Sequence, residues 1–132
     1  MTLAAYKLLH VLGIVFLFAA LGGSVLVHWV RLEEAARARA RKIAGITHGV
    51  ALLLVAFAGF GALAKLRLYV GETDLEAVAL LPGWVWGKIV IWALLGAAPF
   101  VLRRKPTLAG VFWWLLPLLG AAAAYLAFYK PA

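Results

Sequence analysis

Ionisable side chains are rare inside the apolar stretches of this chain, and the few present are of types that do chemistry: His10, His28, His48 and Lys88. A neutral imidazole offers one ring nitrogen as a hydrogen-bond donor and the other as a lone pair. It can therefore ligate haem iron or another metal, or relay protons. An ammonium group nearby can neutralise carboxylates such as the propionates of a haem. Absent residue types narrow the options further. The chain has no cysteine, which removes disulfides, thiolate nucleophiles, iron–sulfur clusters and covalent haem attachment. It has no Asn or Gln, its one serine is Ser24, and its acids (Glu33, Glu34, Glu72, Asp74 and Glu76) all lie between apolar stretches. A Ser-His-Asp triad or a carboxylate dyad within those stretches has no residues to build it. Three histidines without an internal carboxylate suit haem better than zinc, with copper open as an alternative.

The elements that must position these groups are transmembrane helices. Of 132 residues, 67% are hydrophobic and 14% charged, whereas a soluble domain is about half apolar and about a quarter charged. Four apolar runs stand out, at about 4–30, 43–64, 84–102 and 108–128. Each has the length of a bilayer-spanning helix, roughly 20 residues, and none alternates as a barrel strand would. The first is about twice too long for a signal peptide, although Ala36-Arg37-Ala38 has the form of a cleavage site. The expected fold is thus an all-α, polytopic four-transmembrane-helix bundle in one domain, residues 1–132.

Charge sets the expected orientation. Arg31, Arg37, Arg39, Arg41 and Lys42 lie in one linker, and Arg103, Arg104 and Lys105 in the third. By the positive-inside rule, basic loops 31–42 and 103–107 face the cytoplasm of a bacterial inner membrane. Both termini and the loop from Leu66 to Gly83 then face outward. This accounts for most of the +8 net charge. Loops so short build no nucleic-acid reader, so anionic membrane lipid is the expected partner. Trp84 and Trp86 mark the outer end of the third span, Tyr125 and Tyr129 that of the fourth, and Trp29 the inner end of the first. Pro82 and Pro106 precede the third and fourth helices, Pro99 falls in the last turn of the third, and Pro117 lies well inside the fourth.

On these spans, a rise of about 1.5 Å per residue puts His10 roughly 10 Å outward of the first midpoint and Lys88 roughly 7 to 8 Å outward of the third. The two share a level. His28 lies near the inner end of the first span and His48 about a turn and a half into the second, where the two could also meet. His10 and His28 are about five turns apart and so share a face with Gly13, Leu17, Leu21 and Ser24. His48 shares its face with Gly45, Leu52, Val55, Gly59 and Ala62. Small residues on both stripes permit close helix approach or leave space for a flat ligand. For each polar group a structural role stands beside the functional one. His28 suits the interface, His48 suits a satisfied polar contact, and Lys88 can snorkel past Trp84.

The opening Tyr6-Lys7-Leu8-Leu9-His10-Val11-Leu12-Gly13 and the third-span Trp86-Gly87-Lys88-Ile89-Val90 resemble small four-helix haem-containing protoporphyrinogen oxidases of bacteria and the related copper-resistance D-like membrane proteins. The resemblance extends loosely over the whole length and implies haem b, with a first-helix histidine as ligand at His10 and a functionally required lysine at Lys88. The segment Ser24 to Arg31 departs from the Tyr-Leu-Pro-Arg-like segment of those oxidases. Taken together, the sequence leads to a haem-b-binding redox protein. His10 with His48 or His28 would supply the ligands, His10 and His48 would also be the metal donors, and Lys88 would be the catalytic cation. The competing expectation is an accessory subunit of a larger membrane complex without a cofactor. Either would be a homo-oligomer or part of a larger assembly, since so small a bundle leaves apolar faces for neighbours.

Overall fold

The computed structural model describes residues 1–69 and 81–130. It is all-helical among those residues, with four long helices: α1 (Leu3–Trp29), α2 (Glu34–Tyr69), α3 (Gly83–Arg104) and α4 (Ala109–Tyr129). A 3-10 turn, Pro106–Leu108, leads into α4. Each long helix is sufficiently long and apolar to cross a membrane. The helices begin where local chemistry satisfies or removes exposed N–H groups. The Thr2 hydroxyl accepts the Ala5 N–H at 3.1 Å, Pro82 stands at the N-cap of α3, and Pro106 opens the 3-10 turn.

Three of the four helices match the apolar runs to within two residues. The second does not: α2 starts at Glu34 rather than near residue 43 and runs for 36 residues, about 54 Å. Its first turns, Glu-Ala-Ala-Arg-Ala-Arg-Ala-Arg-Lys, consist of strong helix formers, with an acid at the positive end of the helix dipole. The basic linker is therefore largely a helical stalk, and only residues 30–33 turn the chain from α1 into α2. The expected short turn or helix between Leu66 and Leu81 lies outside the described residues from 70 to 80, while α2 continues through Tyr69.

Sequential helices run antiparallel. Gly13 meets Val55 while Gly23 meets Ala44 across α1 and α2, and Gly120 meets Phe18 while Gly110 meets Trp29 across α1 and α4. Helix α1 packs against all three others, whereas α2 and α4 flank it on separate sides. The core follows from that arrangement. Leu17, Leu21 and Val25 of α1 pack with Ala51 of α2, with Ile91, Leu95, Ala98 and Leu102 of α3, and with Ala109 and Leu116 of α4. The α1 face expected from spacing is the buried one, with Gly13, Leu17, Leu21 and Ser24 all inside. On α2 the buried residues are Ala44, His48, Ala51 and Ala58, while Gly45 is exposed. Outward sides remain apolar, with Leu8 and Val15 on α1, Val50 and Leu53 on α2, and Trp114, Leu118 and Phe128 on α4 all exposed. Water would disfavour so continuous an apolar surface, whereas lipid would not.

Candidate functional site

Histidine 10 sits on the side of α1 that meets α2. Its Nδ1 lies 2.9 Å from the Val55 carbonyl oxygen. A carbonyl only accepts, so Nδ1 carries the proton and the neutral ring keeps its lone pair on Nε2. That is the anchoring seen at metal-bound histidines, where one nitrogen bonds a carbonyl and the other faces the metal. Glycine 59 makes the fit possible: a Cβ there would come within 3.0 Å of the His10 ring. One turn further out, Tyr6 lies over Gly61, in the space a side chain would need, and its ring is 5.9 Å from that of Phe57. Two glycines of α2 thus receive two polar-tipped rings of α1.

Lys88 lies five residues into α3, at the same end of the bundle as His10. The agreement in level follows from the antiparallel order. Helix α2 registers the two: Val55 and Gly59 meet His10, while Leu52, one turn nearer the basic end, accepts from Trp92, one turn beyond Lys88. The Lys88 ammonium stands 5.9 Å from the centre of the Trp84 ring, and that of Lys130, just past α4, is 5.7 Å from the same ring.

His48 occupies a different place. It is buried, and its Nε2 lies 3.1 Å from the carbonyl oxygen of Leu95 on α3. In a regular helix that carbonyl would accept the N–H of residue 99. Residue 99 is proline and has none. Since α3 continues to Arg104, Pro99 is more than a turn inside the helix rather than in its last turn, and the orphaned carbonyl is deep in the structure. His48 supplies the missing donor. Beside it, Trp92 Nε1 of α3 donates to the Leu52 carbonyl of α2 at 3.0 Å, so α2 and α3 each give one bond to the other. The histidine thereby spends Nε2, the nitrogen that usually faces a metal.

The histidines are not brought together. His10 meets α2 at Val55 and Gly59, between seven and eleven positions beyond His48 on the same helix, or about 10 to 16 Å along its axis. His28 bonds the Ser24 carbonyl of its own helix at 2.7 Å. With Gly23 level with Ala44 on antiparallel helices, His28 lies at the level of the basic stalk, displaced along the axis from His48. The meeting of His28 and His48 that their depths allowed does not occur, and His10 and His48 do not converge on one point. Among the described residues, no cluster of three His, Asp or Glu side chains could hold a metal ion. Two grooves, of about 320 and 360 Å³, run along α1 with α4 and α1 with α2. They are lined by residues such as Phe18, Trp113 and Pro117 in one and Ala20, Gly23 and Ala44 in the other, with no histidine in either.

Sequence reasoning missed the donor for Leu95, the Trp92 bond and the place of Lys130. The first left half a signal: Pro99 identifies Leu95 as the carbonyl without a helical partner, but not which side chain reaches it. Comparison with protein-family models, curated proteins and solved structures finds no match to this chain.

Proposed function

We propose that this chain is an integral membrane protein of the bacterial inner membrane that holds haem b through His10 and serves redox chemistry. The observation carrying this reading is the His10 ring, anchored through Nδ1 on Val55 and seated on Gly59 with the Nε2 lone pair left for iron. Lys88 is the cation at that level for a propionate. His10 alone would hold the group, because His48 is engaged with Leu95 and His28 bonds its own helix. Haem would supply one-electron chemistry. The residues of this chain would bind it, balance its charge and surround it with apolar side chains that exclude water. Oxidation of a porphyrinogen is the sharpest form of the proposal and rests on the resemblance at His10 and Lys88. The orientation proposed with it, both termini outside, is supported by the basic stalk and the Arg103-Arg104-Lys105 turn through the positive-inside rule.

The test is an absorption spectrum of protein purified from cells supplied with a haem precursor. A Soret band in the wild type that His10→Ala abolishes supports the reading, and colourless protein overturns it. A second reading, an accessory subunit without a cofactor, is favoured by the engagement of all three histidines with backbone carbonyls. It expects co-purification with larger partners and retained assembly in His10→Ala protein.

A further inference from the structure

Two cations at the terminal end of the bundle stand over one indole. Lys88 and Lys130 come from different helices, yet both ammonium groups lie within 6 Å of the Trp84 ring centre. Glu33 and Glu34, at the start of α2, are at the opposite end of the bundle. Lys88 is half-buried and Lys130 exposed; like charges near one ring repel, and the indole face offsets part of that repulsion. Lys130 follows the last turn of α4. It caps α4 in the left-handed region, φ 43° and ψ 56°, while its N–H bonds the Leu126 carbonyl. Half-buried Lys88 stands next to Gly87, where the Leu126 side chain closes against α3.

We propose that Lys88, Lys130 and Trp84 form a clamp for an oxyanion carried by a membrane amphiphile: the phosphate of an anionic lipid, or the carboxylate of a haem propionate. The ammonium groups bind the anion, and the indole orients them at the depth where lipid headgroups meet hydrocarbon. The lipid source stands apart from the haem reading, because that arm of the test uses haem-free protein.

In the lipid arm, purified full-length protein is exchanged into mixed micelles of phosphatidylglycerol and phosphatidylcholine, and retained lipid is counted by native mass spectrometry. An Arg103→Gln/Arg104→Gln background suppresses binding at the other end. Lys130→Asn removes the charge with a residue that tolerates the left-handed cap, and Lys130→Arg restores it. Expected is a preference for phosphatidylglycerol that falls about fivefold in Lys130→Asn or Lys88→Gln and returns in Lys130→Arg. In the carboxylate arm, haem and its dimethyl ester are titrated against the same variants. A preference for the free acid that disappears in Lys130→Asn and returns in Lys130→Arg assigns the clamp to propionate. If neither preference responds to Lys88 or Lys130, the clamp does not exist. Helical circular dichroism of each variant separates loss of binding from loss of fold.

Discussion

His10 and His48 make the same kind of bond, an imidazole N–H given to a carbonyl of the neighbouring helix, and differ in what that carbonyl lacked beforehand. The Val55 carbonyl lies in an uninterrupted stretch of α2, with the N–H of Gly59 one turn on as its helical partner. The Leu95 carbonyl has lost its partner to Pro99. In a low-dielectric interior an unpaired carbonyl is costly, so the fold requires His48. It does not require His10 in the same sense, since removing that ring orphans no helical acceptor. That difference is why the haem proposal rests on His10: the backbone can spare its ring, and its tautomer leaves the Nε2 lone pair unused by the Val55 bond. The lesson is to ask of a membrane histidine what its acceptor would have without it.

The largest effect tests that contrast directly. His10→Ala should remove the Soret band outright while leaving a folded, helical protein. His48→Leu should retain the band per folded molecule but lose about 1–3 kcal/mol of stability, read by unfolding in mixed micelles. If both variants lose colour, or both lose stability alike, the distinction fails. A double-mutant cycle sharpens it further: in a Pro99→Ala background, where the helix regains its own donor, His48→Leu should cost clearly less than in the wild type.

Steric changes beside His10 come next. Gly61→Ala puts a methyl group into the Tyr6 ring and should destabilise by about 1–3 kcal/mol. Gly59→Ala meets the His10 ring at 3.0 Å; it should shift the haem spectrum more than it lowers the unfolding midpoint. Trp92→Phe removes the Nε1–H donated to Leu52 and should cost about 0.6 kcal/mol, a common value for one side-chain bond between membrane helices. Smallest of all is His28→Ala. Its bond goes to Ser24 of its own helix, near the helix end, so a change within about 0.5 kcal/mol and an unaltered spectrum are expected.

Much of the fold could be read directly from residues. The apolar runs marked four helices, and the α1 face with Gly13, Leu17, Leu21 and Ser24 was set by a spacing that repeats over five turns. The level shared by His10 and Lys88 followed from counting along antiparallel spans. The α2 stripe was less legible because that helix is apolar nearly all round in its middle; with little contrast between faces, periodicity does not fix which residues turn inward. Ala44, Ala51 and Ala58 take the buried side, while Gly45 is exposed. The start of α2 was hidden for another reason: hydropathy marks where a helix is apolar, not where it stops being helical, and the Ala-Arg stalk remains helical outside the apolar run.

Length, apolarity, the uneven distribution of basic residues and the carbonyl left without a donor by Pro99 are properties of the sequence itself, since each depends only on residue type and on neighbours within one helical turn. The tertiary structure decided which donor reaches Leu95, that His10 and His48 occupy separate levels, and that Lys130 meets Lys88 at Trp84. Those outcomes depend on the rotation and axial register of one helix against another. Packing of small residues such as Gly13, Gly59 and Gly61 sets both, and helical period leaves both open.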